Sequence, residues 1–239
     1  MSRPYWNDAR APRYAVLFAA PLFVIYEASS LVPGTDTGAV RNGADVLLRT
    51  LFGLLGGPRG LAWFTVLLAG LGVVLVLRDV SRHPGRLRTG VFAAMLGESM
   101  VWAVLLGGVT ATITTFILHP LAMQAGALTA FSVPQRLVLS AGAGLYEELV
   151  FRVLLVGGLA AAGTAAGWSR GTANAFAVGL SALVFSSFHF IGPYGDPFTL
   201  ASFTFRAVAG LLLSVLYVFR GFGIAAWSHA IYDVLVSVM

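Results

Sequence analysis

The 239-residue chain is 58% hydrophobic and only 10% charged, which excludes an ordinary soluble domain and predicts a polytopic membrane protein. Its net charge is +5, but the basic residues lie mostly at the ends of apolar runs, so we expect membrane lipid as a partner and no nucleic acid. All 15 basic residues are arginine and cysteine is absent, which excludes lysine and thiol nucleophiles, disulfides and Cys-ligated metals.

Apolar segments long enough to cross a bilayer, about 20 residues each, recur along the chain. The predicted spans are residues 13–33, 60–77, 89–113, 135–162, 173–192, 198–219 and 222–239. Residues 44–56 are short and amphipathic, and we expect an interfacial helix with an Asp45–Arg49 pair, or part of an eighth span. No repeat or linker divides the chain, so the predicted fold is all-α: one domain over 1–239, a membrane helix bundle of roughly seven to eight transmembrane helices.

Two adjacent glutamates, Glu147 and Glu148, lie inside the apolar segment 135–162. An acidic side chain at the centre of a membrane helix costs about 2.5–3.5 kcal/mol on insertion scales. Arg152 follows Glu148 by four residues on the same helical face, so we expect it to neutralise Glu148. Glu147 has no such partner in its own helix. An unpaired carboxylate in a membrane span indicates a functional site.

The other ionisable groups within the predicted spans have an informative spacing. They are Glu27, Glu98, His189, Arg206, His229 and Asp233. Phe185 precedes His189 by four residues, and His229 precedes Asp233 by four, so each pair shares one helical face. Because isolated polar groups are expensive in lipid, we expect Glu147 and these two pairs, from three helices, to surround one polar cavity.

Such a cavity supports hydrolysis of a peptide bond. A carboxylate and a nearby imidazole can deprotonate water, and a second imidazole with a carboxyl group can hold the oxyanion that forms on the carbonyl. Two histidines and a carboxylate are also a plausible zinc site, which leaves metal-assisted hydrolysis as an alternative. The HExxH and GxSxG patterns are absent, and Asp196, the second acid that an aspartyl pair would need, falls in a predicted turn.

Three motifs resemble, in order and spacing, those of the CPBP family of CAAX-protease and bacteriocin-processing intramembrane endopeptidases, also called Abi. They are Glu147-Glu148-x-x-x-Arg152, Phe185-x-x-x-His189 and His229-x-x-x-Asp233. The resemblance covers residues 135–237, which correspond to the catalytic core of that family. It implies that Glu147, assisted by His189, activates water, while His229 and Asp233 hold the oxyanion. It also implies that Glu148 and Arg152 support the site and that Phe185 packs against it.

One position departs from the CAAX-cleaving branch, where the last motif residue is often asparagine. An ionised Asp233 cannot donate a hydrogen bond to an oxyanion. Asp233 must therefore be protonated, orient His229, or bind a metal. We expect that no cofactor is required; if Zn²⁺ is used instead, its ligands are Glu147, His189, His229 and Asp233.

Glu27 and Glu98 are not explained by the motifs. One interpretation is that both approach the same cavity and pair with Arg206, as an outer layer of the site. The other is that they lie near a membrane interface and hydrogen-bond a neighbouring helix.

The expected substrate is a membrane-associated peptide: a CAAX-like tail, a leader peptide or a C-terminal sorting signal. The compact, all-arginine chain favours a bacterial inner membrane as the location. Transpeptidation of sorting tails is an alternative if an amine replaces water. A proton-coupled transporter is another, because carboxylates and histidines in spans also form proton relays. A third alternative is an inactive scaffold or immunity protein.

Overall fold

The computed structural model describes residues 4–30, 41–118, 131–192 and 195–238, and within these ranges the regular structure is entirely helical. In chain order the α-helices are α1 Tyr5–Arg10, α2 Pro12–Ser29, α3 Gly43–Arg82, α4 Thr89–Leu118, α5 Val133–Gly142, α6 Gly157–Ala165, α7 Arg170–Phe188, α8 Leu200–Arg220 and α9 Phe222–Val238. Residues Ala143–Val156 form a π-helix that joins α5 to α6 without a break. The all-α prediction is confirmed.

Five of the described helical segments are long and apolar enough to cross a membrane. They are Trp63–Arg82, Thr89–Leu118, Val133–Ala165, Arg170–Phe188 and Leu200–Arg220. The predicted spans 13–33 and 222–239 correspond to α2 and α9, which have 18 and 17 residues; residues 31–33 and 239 lie outside the described ranges. The polytopic helical architecture is confirmed, while the count of seven to eight spans stays a prediction.

Helix α3 contains the two elements that the sequence separates, 44–56 and 60–77, one on each side of a non-helical residue. The helix runs from Gly43 to Arg82 with a kink at Gly57, whose φ of +58° suits a residue without a Cβ atom. The predicted Asp45–Arg49 pair is confirmed, with Nε of the arginine 2.7 Å from the carboxylate. The start of α3 packs inside the bundle, because Ala44 is fully buried in a core cluster.

That core cluster positions the site described below. It combines buried residues of α2, α3, α5, the π-helix and α9, among them Leu22, Tyr26, Ala44, Leu48, Ala141, Leu145, Tyr146, Ala226 and Ala230. Tyr26 and Tyr146 lie at its centre with ring centroids 5.1 Å apart. The start of α3 is thereby held against the π-helical segment that carries Glu147.

Candidate active site of carboxylates and imidazoles

The four predicted catalytic groups come from three helices and lie together. Glu147 is on the π-helix, His189 follows the last residue of α7, and His229 and Asp233 are on α9. Oε2 of Glu147 lies 3.9 Å from Nε2 of His189 and 3.9 Å from Nε2 of His229. Oδ2 of Asp233 lies 3.7 Å from Nε2 of His229. These separations exceed a direct hydrogen bond and suit a single bridging water molecule or substrate atom.

The four groups of the site differ in their exposure. The side chains of Glu147 and His229 are 9% and 6% exposed, whereas those of His189 and Asp233 are both 24% exposed. His189 and Asp233 are thus the more accessible of the four groups.

The π-helix brings the paired glutamates close to α9. A π-helix closes i→i+5 hydrogen bonds and occurs often at functional sites. Within it, a Cβ atom on Gly144 would lie only 2.4 Å from the carbonyl oxygen of Ala226 and 2.7 Å from Cβ of Ala230. The absence of a side chain at Gly144 thus allows the contact between the two helices, and this contact sets His229 opposite Glu147.

Glu148 is fully buried and connects two groups. Its Oε1 is 3.1 Å from Nη1 of Arg152, which is the ion pair that the four-residue spacing predicts. The same oxygen accepts a 2.7 Å hydrogen bond from Nδ1 of His229, a contact that sequence reasoning missed. Because a carboxylate can only accept, Nδ1 of His229 carries its proton and Nε2 is left to face Glu147 and Asp233.

Arg152 is fully buried behind the site. Its guanidinium lies over the ring of Phe185, 4.4 Å from the centroid, and its Nη2 is 3.4 Å from the carbonyl oxygen of Gly210. Cation–π contact and ion pairing together stabilise a charge that would be costly to bury alone. Phe185 therefore packs between Arg152 and the histidines, with its ring edge-on to His189 at 4.8 Å.

His189 is oriented by its own helix end. Its Nδ1 lies 2.8 Å from the carbonyl oxygen of Phe185, so Nδ1 donates and Nε2 of the neutral ring is an acceptor. This acceptor faces Oε2 of Glu147, which is also an acceptor. The two atoms can both receive hydrogen bonds from one water molecule.

Glu27 and Glu98 do not pair with Arg206, which removes the first of the two interpretations given for them. Glu98 binds Arg220 through two hydrogen bonds of 2.5 and 2.7 Å. Glu27 binds Arg49 at 2.9 Å. Arg206 instead pairs with Asp196 and donates to Ser202. The partners differ because α8 directs Arg206 toward the segment that follows His189, away from both glutamates.

The alternative interpretation of the two glutamates, hydrogen bonding to neighbouring helices, agrees with the observed contacts. Glu98 joins α4 to α8, and Glu27 joins α2 to α3. Glu27 also accepts a 2.5 Å hydrogen bond from the hydroxyl of Tyr146, the residue before Glu147. It therefore supports the π-helix next to the site, while Glu98 belongs to a separate cluster.

Asn42 is a site neighbour that the sequence analysis did not identify. Its Nδ2 donates a 2.7 Å hydrogen bond to Oε1 of Glu147, across 105 residues of sequence. The one local signal is that an asparagine directly precedes a helix, which is typical of an N-cap and gives no indication of a distant carboxylate.

The donor types at the site suit zinc, but their arrangement does not fit a metal ion. Within the described ranges, no group of three or more histidine, aspartate or glutamate side chains is placed so that it could hold one.

Fold and site together define a polytopic helical membrane protein with a buried cluster of carboxylates and imidazoles. Residues 129–235 match the family model described as Type II CAAX prenyl endopeptidase Rce1-like. This segment carries all three motifs, and the match supports the CPBP family of CAAX proteases. The family assignment supports an intramembrane CAAX-type endopeptidase acting on a peptide in a lipid environment. The searches of curated proteins and of solved structures gave no match.

Proposed function

We propose that the protein is an intramembrane endopeptidase that hydrolyses a peptide bond of a membrane-associated substrate with a water activated by Glu147 and His189. The observation that carries the proposal is the position of Oε2 of Glu147, 3.9 Å from Nε2 of both His189 and His229. One water molecule reaches the carboxylate and the His189 imidazole at once, with an oxygen lone pair left to attack a carbonyl.

In the first step the water oxygen bonds to the carbonyl carbon while Glu147 accepts the water proton. His189 accepts the second hydrogen bond of the water and orients it. The carbon–nitrogen bond then breaks, and the proton on Glu147 passes to the leaving amine. The products are a carboxylic acid and an amine, and transfer of the acid proton to the amine gives the carboxylate and the ammonium ion, so atoms and protons balance.

His229 is proposed to hold the oxyanion. Its Nδ1–H is bound to Glu148, and its Nε2 lies 3.9 Å from Oε2 of Glu147 and 3.7 Å from Oδ2 of Asp233. A protonated Nε2 donates to the negative oxygen as it forms. Asp233 lies 3.7 Å from Nε2 of His229, so in this scheme it shares the proton on Nε2. The ring itself is oriented by Glu148.

The family description favours a prenylated CAAX tail as the first substrate to test. A leader peptide and a C-terminal sorting tail are the other candidates. An internally quenched peptide of each kind, incubated with the purified protein, reports cleavage by fluorescence. Mass spectrometry of the products, with an added amine nucleophile, separates hydrolysis from transpeptidation.

The decisive comparison uses Glu147→Gln and His189→Ala with Glu98→Gln as the matched control. Glu98 is another carboxylate within a predicted span, but it pairs with Arg220 in a separate cluster. We expect the two site variants to lose about 10²- to 10⁴-fold in kcat, the usual contribution of a general base, and the control to keep wild-type kcat per folded molecule. Full activity of either site variant would end the proposed mechanism.

A further inference from the structure

Asn42 lies directly before the first residue of α3 and outside the segment 129–235 that matches the family model. Its side chain is buried, and it donates from Nδ2 to Oε1 of Glu147 over 2.7 Å. The hydrogen bond uses Oε1 of Glu147. The other oxygen, Oε2, is the one that lies 3.9 Å from both Nε2 atoms.

The direction of the Asn42 amide is fixed by its role as an N-cap. Its Oδ1 accepts a 2.9 Å hydrogen bond from the backbone N–H of Ala44. A flipped amide would turn the NH₂ group toward that N–H and the oxygen toward the carboxylate, so both contacts would become repulsive. The backbone N–H of Asn42 is held as well, by a 2.8 Å hydrogen bond to the hydroxyl of Tyr26.

The charges near Asn42 are engaged with one another. Arg49 binds Asp45 at 2.7 Å, and Arg41 lies 3.4 Å from the same carboxylate. Glu147 therefore receives a neutral donor from the start of α3 instead of a guanidinium. A neutral amide restrains a carboxylate in one orientation without adding a charge next to it.

Building on the role proposed for Glu147, we propose that Asn42 is a positioning residue that fixes the Glu147 carboxylate with Oε2 toward the attacking water. The start of α3 thereby supplies a part of the active site that the family motifs do not contain. The rigid N-cap transmits its position to the carboxylate through a single hydrogen bond.

Two substitutions separate positioning from capping. Asn42→Asp keeps an N-cap oxygen for the backbone N–H of Ala44 but removes the hydrogen-bond donor to Glu147. Asn42→Ser also keeps an N-cap, but its side chain is too short to reach Glu147. We expect both to lower kcat by about 10- to 100-fold at unchanged KM, since a small misplacement of a catalytic group has effects of that size. The matched control is Ser169→Ala, which removes the exposed N-cap of α7 and leaves kcat at the wild-type value.

The pH profile gives a readout that a structural role would not move. A protonated carboxyl can donate a hydrogen bond, so kcat of Asn42→Asp relative to wild type should rise as the pH falls from about 8 to about 5. Asn42→Ser has no such group and should show no relative recovery. Melting temperatures of the purified variants confirm that the compared proteins are folded.

The outcomes distinguish this inference from the proposed function. If Glu147→Gln is inactive while Asn42→Asp has wild-type kcat and pH profile, the positioning role is overturned and the proposed function stands. If both Asn42 variants lose activity only in proportion to their folded fraction, Asn42 acts only as the N-cap of α3. The positioning role is then overturned as well. If Glu147→Gln cleaves the quenched farnesylated CAAX peptide at the wild-type rate, the proposed function itself fails.

Discussion

His229 and Glu148, 81 residues apart in sequence, are joined by a 2.7 Å hydrogen bond from Nδ1 to Oε1. The same carboxylate is 3.1 Å from Arg152, so it connects a guanidinium of the π-helix with an imidazole of α9. The two adjacent glutamates thus have separate tasks. Glu148 orients His229 from behind, while Glu147 faces both Nε2 atoms.

We expect the contributions of Glu148 and Arg152 to the free energy of unfolding to be strongly coupled. Removing one partner of a buried ion pair costs about 3–5 kcal/mol because the other charge stays buried, so Glu148→Gln and Arg152→Met should each lower the free energy of unfolding by this amount. The double variant removes both charges and should lose clearly less than the sum. Denaturant unfolding in detergent measures this double-mutant cycle, and additive losses would contradict the coupling.

Gly144 should be intolerant of even one methyl group. A Cβ atom there would meet the carbonyl of Ala226 at 2.4 Å, so Gly144→Ala must push α9 away from the π-helix. We expect a loss of about 1–3 kcal/mol in stability from overpacking and a fall in kcat, because His229 moves with α9. Gly158→Ala is the matched control, since nothing lies within 4 Å of that position. Equal behaviour of the two variants would show that the close approach is unimportant.

The Glu98–Arg220 cluster should affect stability and leave catalysis unchanged. Arg220 is 1% exposed, binds Glu98 at 2.5 Å and lies over the ring of Trp6, 3.6 Å from its centroid. Arg220→Ala should lower the free energy of unfolding by about 3–5 kcal/mol, because it strands a partly buried carboxylate and frees α1. Turnover per folded molecule, measured below the melting temperature, should equal that of wild type. A selective fall in kcat would place this cluster in the catalytic machinery.

Alkaline pH should weaken the attachment of α1. Burial and a hydrogen bond to Glu98 raise the pKa of Tyr5 from 10.0 to about 12, so the folded state keeps the hydroxyl protonated to higher pH than the unfolded chain does. The contribution of Tyr5 is therefore complete below pH 10 and is lost as the pH rises through about 12. The melting temperature should fall more steeply with pH across this interval for wild type than for Tyr5→Phe. An equal fall in melting temperature for the two proteins would contradict this role of Tyr5.

Chelation separates a glutamate-activated water from a metal-bound one. If Glu147 and His189 act on water directly, dialysis against EDTA or phenanthroline should leave kcat unchanged, and added Zn²⁺ should not raise it. Metal content after purification provides the control. Loss of activity on chelation with recovery on Zn²⁺ would favour the metal alternative at the same four side chains.

The spacing of residues along the sequence predicts part of the site. The four-residue interval predicts the Glu148–Arg152 pair, since residues four apart share a helical face, and the structure confirms it. Spacing also indicates that His229 and Asp233 face one side of α9. Spacing does not indicate which arginines Glu27 and Glu98 bind, because the choice of an arginine in another helix depends on how the helices pack.

The sequence by itself determined that the chain is a helical membrane protein, where its apolar helices run, and which carboxylates and imidazoles lie within them. Hydropathy and helical period are local properties, so they can be read along one chain. The tertiary structure alone decided that Asn42 meets Glu147 and that Glu148 meets His229. These contacts depend on how closely α3 and α9 approach the π-helix, and that approach is set by packing at positions such as Gly144.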